Sequence, residues 1–284
     1  MRSVAVIGST GQLGSDLVEV LRAKGWNAIP LVHQDIEITD IESVKTALAP
    51  LNFDWIINTA AFHKVDECEK DTRRAWQVNA FGQRNVALIA NQKGARSVFI
   101  SSDYVFNGES EVPYRSDDSI SPINAYGHSK VGGEIATLAV NQKNIVLRIS
   151  SVFGTAGSSG KGGNFIETIL KKAKAGETIS VVDDIKMVPT YTKDASELLL
   201  KAINEDFSGV LHGANSGEAT WFDFARYVVD RVGIKKEVNP SKTDWTSPLK
   251  RPKYSVLDST RGSFVSKDWR DAVDRYLMEK GHIQ

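Results

Sequence analysis

Residues 3–17 read Ser-Val-Ala-Val-Ile-Gly-Ser-Thr-Gly-Gln-Leu-Gly-Ser-Asp-Leu. A compact apolar run enters three glycines spaced three apart, Gly8, Gly11 and Gly14, and Leu13, Leu17, Val20 and Leu21 then recur at helical spacing. Strand, glycine loop and helix in that order form a cradle for a dinucleotide. The first glycine permits a tight turn, the second lets backbone approach a pyrophosphate, and the third lets the helix pack closely on the strand. The start of the helix adds unpaired N–H groups and a favourable dipole. Gly8, Thr10, Gly11, Gln12, Leu13 and Gly14 are therefore the expected cofactor contacts.

Outward from this unit the pattern repeats. Residues 27–32 (NAIPLV), 55–59 (WIINT), 97–101 (SVFIS) and 145–149 (IVLRI) are short apolar runs of the kind a sheet covered on both faces requires. Helical patterns separate them: residues 40–49, capped by Asp40 and ended by Pro50, a long helix over 73–92, and one starting near Tyr126 with Val131, Ile135 and Leu138 on one face. Such alternation predicts an α/β fold, a Rossmann-type doubly wound parallel sheet. In the second half, residues 154–163 (GTAGSSGKGG) have little to bury and read as a mobile loop. Beyond it come a helix (165–174), a strand (178–182), a helix (195–203), a strand (210–212) and a helix from Thr220. The expected division is a dinucleotide-binding domain over 1–153, with 186–212 returning to it. Residues 154–185 and 213–284 then form a smaller substrate-binding lobe over the carboxyl edge of the sheet.

Bulk composition excludes several classes. With 41% hydrophobic and 25% charged residues over 284 positions, the chain is a folded globular protein rather than a disordered one. Lys plus Arg and Asp plus Glu both number 35, leaving no electrostatic footprint for nucleic acid or an anionic membrane. No apolar stretch approaches the roughly 20 residues a membrane span needs. The strand-like start leaves no room for a signal peptide, so a cytoplasmic protein is expected. Cys68 stands alone among Asp66, Glu67 and Glu69, which disfavour a thiolate and argue against a nucleophile.

Tyr126 and Lys130 lie four apart in Tyr-Gly-His-Ser-Lys, on one face of a helix. Reduction of a ketone needs a hydride donor and an acid for the developing alkoxide. A neighbouring ammonium and the charge of an oxidised nicotinamide would both lower a tyrosine's value from near 10 toward the working range. About one strand-plus-loop upstream, Ser101-Ser102-Asp103-Tyr104 follows the fourth apolar run. Ser102 thus reaches the carboxyl edge of the sheet, where doubly wound folds bind ligands, and can steady the carbonyl oxygen as hydride arrives. The expected catalytic set is Ser102, Tyr126 and Lys130, with the last two also contacting the cofactor. After the second strand the sequence Leu31-Val32-His33-Gln34 offers neither the carboxylate that reads a ribose diol nor an Arg or Lys for a 2′-phosphate. NADPH and NADH both remain open, although His33 would tolerate a phosphate.

These features, with the Gly-x-x-Gly-x-x-Gly spacing, resemble the extended branch of the short-chain dehydrogenase/reductases. Within that branch the chain resembles the dTDP-4-dehydrorhamnose reductases along nearly its whole length. The matching stretches include IGSTGQLG, INTAAFHKVDECE, VNAFG, SSDYVFNG, SPINAYGHSKVGGE, VVDDIKMVPT, GEATWFDFA and RPKYSVLD. The resemblance implies reduction of the 4-keto group of a nucleotide-activated 6-deoxy sugar. It also implies Glu37 and Ile38 beside adenine, Ala60 and Ala61 at the cofactor, and Asp103, Tyr104 and Val105 lining the site. Asn164 and Phe165 would meet the nucleotide, and Arg251 would lie near the substrate phosphates. One departure stands out: where the family typically has Trp after the fifth strand, this chain has Ser151.

Other residues invite blander readings. Trp26, Trp55, Trp76 and Trp221 are expected in the core, Asp183 and Asp184 in a solvated turn, and His63 in a loop near the cofactor without partners for a metal. Lys171, Lys172 and Lys174 read as a solvated helix face, while Lys161 in the glycine loop is placed to approach a diphosphate. A homodimer is expected by analogy with the fold. The alternatives to a reductase are an epimerase or dehydratase with tightly held NAD, or a cofactor-binding regulatory subunit without turnover.

Overall fold

The computed structural model describes residues 2–157, 163–261 and 264–284; Lys161 and half of the glycine loop lie outside them. Six strands form the central sheet: β1 (Ser3–Ile7), β2 (Asn27–Leu31), β3 (Trp55–Asn58), β4 (Arg96–Ser102), β5 (Ile145–Ile149) and β6 (Gly209–His212). Their order is β2-β1-β3-β4-β5-β6, and every neighbouring pair is parallel. The order reverses beside β1, so a crevice opens between the carboxyl ends of β1 and β3, the position that receives ligands in such sheets.

Strand alternation explains why both faces are covered. Val4, Val6 and Ile57 bury one face beneath α1 (Gln12–Ala23) and the later helix over Thr192–Asn204. Ala5, Ile7 and Ile56 bury the other with Val44 of α2 (Ile41–Leu48) and Val86 of α3 (Gln83–Gln92). The predicted cap holds: the Asp40 side chain accepts from the Glu42 N–H. The long helix expected over 73–92 is not uniform. It begins as Thr72–Trp76, passes through a π-helical turn over Gln77–Gly82, and resumes as α3. The π turn aims Asn79 at the loop after β3, where its Oδ1 accepts from the Phe62 N–H at 2.9 Å.

Helix α4 (Ala125–Val140) begins on an Asn124 cap, whose side chain also donates to the Lys250 carbonyl at 3.0 Å. In the second half, α5 (Phe165–Lys174), α6 (Thr192–Asn204), α7 (Trp221–Arg231) and α8 (Trp269–Glu279) are the long helices. Phe153, Tyr191, Phe224, Trp269 and Tyr276 form an aromatic cluster among them. A capping box of Thr220 and Asp223 starts α7.

Two expectations for exposure are overturned. Asp184 is no solvated turn residue: it accepts from the Thr243 N–H and hydroxyl and from the Trp245 indole. Trp55 is core as expected and Trp26 is half-buried beneath Arg2, but Trp76 is 36% exposed. It lies across α4, with Gly132 close beneath its ring. Among the described residues no helix is long and apolar enough to cross a membrane, and no cluster of side chains is placed to hold a metal ion.

Candidate active site

The glycine loop is shaped by a backbone contact. Gly8 adopts φ +76°, and a Cβ on Gly14 would sit 2.2 Å from the Gly8 carbonyl oxygen. The loop can fold back on α1 only because that Cβ is absent. α1 starts at Gly11 with no side-chain cap, so its first N–H groups are left to the cleft. Gln12 donates to the Val152 carbonyl at 2.8 Å, and Asp16 accepts from Thr155 at 2.5 Å and also from Thr192. These bonds fasten the phosphate helix to the segment after β5 and to α6.

A cleft of about 540 Å³ runs along this loop. The structure brings Gly8, Thr10, Gly11, Gln12, Leu13, Ala60, Ala61, Ser102, Asp103, Tyr104, Tyr126, Lys130 and Ser151 together around it. Glu37 and Ile38 line a smaller adjoining pocket of about 270 Å³, reached past His33 and Ala60. Gly14 stands beneath the loop rather than on the cleft wall. Asn58 fixes the approach to Ala60, accepting from its N–H at 3.0 Å while its amide donates to Gln83.

Several expected contacts lie elsewhere. Val105 is fully buried with Phe106 and Tyr114, because its short 3-10 turn points it inward. Asn164 is occupied by capping α5 and by donating to the Gly154 carbonyl and the Tyr276 hydroxyl. Phe165 stacks near Phe224, with ring centroids 5.0 Å apart. Arg251, by contrast, stands at the cleft rim, half-exposed, pairing with Asp66 at 3.3 Å and hydrogen-bonded to Tyr104. The sequence reading missed Thr59, Val65, Ile149, Val152 and Trp221 as cleft residues. Trp221, expected in the core, is half-buried with a side on the cleft; only its place at the first position of α7 signals that orientation. His63 lines the cleft as well.

The catalytic candidates sit on rigid supports. Ser102 ends β4; its hydroxyl donates to Asp103 Oδ1 at 2.9 Å and accepts from the Tyr104 N–H at 3.2 Å. Asp103 is wholly enclosed and also accepts from Ser150 and Ser255; its burial raises the carboxyl above the ordinary range, against the pull of these hydroxyls. The Tyr126 and Tyr104 rings meet edge-on, with centroids 5.8 Å apart. Lys130 donates to the Ile100 carbonyl at 2.5 Å, with its ammonium 4.3 Å from the centre of the Phe99 ring.

The electrostatics correct one expectation. Lys130 does not draw Tyr126 toward neutral pH. Burial pushes the phenol well above its ordinary value, and a hydrogen bond with Ser102 pulls only partly the other way. The amine is the displaced partner: burial takes Lys130 from 10.5 down to about 7, opposed by the Glu134 charge. Four-residue spacing put both groups on one face, but it did not point Nζ at the phenol. Cys68 is buried and pushed up to about 11 by desolvation, so it remains a thiol.

Comparison with known proteins places this geometry. The family model described as the RmlD substrate binding domain matches residues 1–281. The chain belongs to this family. Similar members include the spore coat polysaccharide biosynthesis protein SpsK of Bacillus subtilis, 36% identical across 99% of this chain and 98% of that protein. A dTDP-4-dehydrorhamnose reductase of Mycolicibacterium smegmatis is 36% identical, covering 95% of this chain and 83% of that one. The crystal structure of dTDP-4-dehydrorhamnose reductase from Bacillus anthracis in complex with NADP superposes with a TM-score of 0.92 at 33% identity, over 98% of this chain and 100% of that chain. This RmlD-family chain shares with the Bacillus anthracis reductase a fold maintained along nearly its whole length.

Proposed function

We propose that the protein is an NAD(P)H-dependent reductase of the 4-keto group of a nucleotide-activated 6-deoxy sugar, of the dTDP-4-dehydrorhamnose type. The observation that carries this reading is the gathering of Ser102, Tyr126 and Lys130 at one end of a cleft whose other end is the glycine loop. The uncapped start of α1 and the close Gly8–Gly14 contact suit a pyrophosphate. The glycine loop would hold NADPH or NADH, which when bound would supply the hydride for the sugar carbonyl. Tyr126, held protonated by burial, is the acid for the oxygen. Ser102 orients that oxygen, and Asp103 fixes the Ser102 hydroxyl. Lys130, poised between amine and ammonium near neutrality, holds the nicotinamide ribose.

In this reading residues 1–153, with 186–212, bind the dinucleotide, and 154–185 and 213–284 close over the sugar nucleotide. Asp103, Tyr104, Ser151 and Arg251 would face the substrate. The balanced charge supports a cytoplasmic enzyme that does not bind nucleic acid. A homodimer is supported by Phe81 and Ile135, 58% and 63% exposed on adjoining helices.

The test is incubation of purified protein with NADPH or NADH and dTDP-4-keto-6-deoxy sugars, following loss of reduced-nicotinamide absorbance and formation of the reduced sugar nucleotide. Consumption of both substrates in equal amounts is expected. Failure with every such sugar, despite cofactor binding, would leave a regulatory subunit instead.

A further inference from the structure

Three serine hydroxyls close around Asp103. Ser102 meets its Oδ1 at 2.9 Å, while Ser150 and Ser255 donate to Oδ2 at 3.0 and 2.6 Å. They come from separate parts of the chain. Ser102 ends β4, Ser150 follows β5, and Ser255 reaches in from the second half, its own N–H donating to the Lys186 carbonyl at 2.8 Å. All three serines are buried, and Asp103 is 3% exposed.

The charged and titratable groups around this carboxyl are committed elsewhere. On α4, Lys130 donates to the Ile100 carbonyl, and burial holds Tyr126 protonated. On β5, Arg148 is paired with Glu134. In the 3-10 turn, burial pushes the Tyr104 phenol up to about 12, and its partner Arg251 pairs with Asp66. Lys186, from the second half, pairs with Glu218 at 2.7 Å. Among the described residues no Lys, Arg or His forms an ion pair with Asp103. Enclosing a carboxylate without a counter-charge is costly, and burial raises this carboxyl against the pull of its three hydroxyls.

The Ser102 hydroxyl has one proton to give. Beside a carboxylate that proton goes to Oδ1. Ser102 Oγ, which also accepts from the Tyr104 N–H at 3.2 Å, is then only an acceptor toward the cleft. A ketone oxygen is an acceptor too, so the two would not match. Beside a neutral acid the bond reverses: the carboxyl O–H donates to Ser102, and the Ser102 proton is released for the ketone.

We propose that Asp103 acts as a neutral carboxylic acid that donates to Ser102 Oγ and so turns the Ser102 hydroxyl toward the substrate carbonyl. Asp103 is a positioning residue here, acting through Ser102; its proton stays in the network, and Tyr126 supplies the one that reaches the sugar oxygen. The inference rests on the ketoreductase reading and adds to it the proton arrangement that receives a ketone. An alcohol, which carries a proton of its own, suits the ionised form instead.

Infrared difference spectra of the native chain against Asp103→Asn, without substrate near pH 7, test the protonation state directly. The C=O stretch of a neutral carboxylic acid is expected in the native chain and lost in the variant. In turnover with NADPH and a dTDP-4-keto-6-deoxy sugar, Asp103→Ala should lower kcat by about 100-fold, as loss of one oxyanion donor does, with KM little changed. Asp103→Asn, a neutral donor of the same shape, should regain about tenfold of that loss. It should also lack the alkaline fall in kcat that ionisation of Asp103 gives the native chain, keeping only that of Lys130. Unaltered dinucleotide affinity by titration calorimetry reports that each variant is folded. A missing acid band, an Asn variant no faster than the Ala variant, or one with the full native pH profile overturns the proposal and leaves the reductase reading standing. Absence of turnover in the native chain overturns that reading, and this role with it.

Discussion

Replacing Lys130 by Met should stabilise the fold while stopping turnover. Lys130 is 2% exposed, enclosed by β4 and α4, and burial takes its amine from 10.5 to about 7. The folded value lies below the unfolded one, so between these limits the unfolded chain holds the extra proton and stability climbs with pH. At about 1.4 kcal/mol for each pH unit of displacement, the charged amine costs the folded state as much as about 5 kcal/mol in acid. Met fills a similar volume without that cost, but leaves the Ile100 carbonyl without its 2.5 Å partner, a loss of about 1–3 kcal/mol. The net expectation is a gain of about 2 kcal/mol at pH 6, or about 4 °C in Tm. The gain should shrink steadily above about pH 7 and vanish only above about pH 11, where the native lysine is neutral in both states. Urea unfolding of both proteins across this range is the assay. A variant less stable at every pH, or one with a constant gap, would refute the claim that Lys130 is buried against its own charge.

Three further outcomes follow from the geometry. Tyr126→Phe should lower turnover by about 100-fold or more, since a general acid is lost, with dinucleotide affinity unchanged by titration calorimetry. Gly14→Ala drives a methyl into the Gly8 carbonyl, 2.2 Å away; weaker dinucleotide binding and a loss of about 1–3 kcal/mol in urea unfolding are expected. Glu134→Gln leaves Arg148, 4% exposed and 2.8 Å from its partner, as an unpaired buried charge, with a cost of about 3–5 kcal/mol by the same assay.

Most of the fold was legible because its strands are buried on both faces. Each central strand is built around a short apolar run, and the limits read from sequence fall within a residue or so of β1 to β6. Helix starts carrying Asp40 and Thr220 were readable for the same local reason: a short polar side chain bonds a free N–H. The π turn at Gln77–Gly82 was not, since one extra residue in a helix hardly alters apolar spacing. Tryptophan placement was half legible. Trp55 lies in a strand whose two faces are both covered, whereas Trp76 and Trp221 sit on helices, where identity does not reveal the face. In the site, residue types and order announced Ser102, Tyr126 and Lys130, yet the direction of each side chain is a tertiary matter. Val105 and Asn164 were drawn into packing and capping, and Lys130 toward Ile100, by neighbours distant in sequence.

The Arg148–Glu134 pair has a bearing on how this chain can change over generations. Both Arg148 contacts to the carboxylate measure 2.8 Å, and Ser101 closes the same group at 2.5 Å. Neither charge can be exchanged first without stranding the other, so lineages must cross a fitness valley or alter the residues together. These positions, one on β4, one on α4 and one on β5, should therefore drift as a unit among relatives, even while the surface around them varies freely.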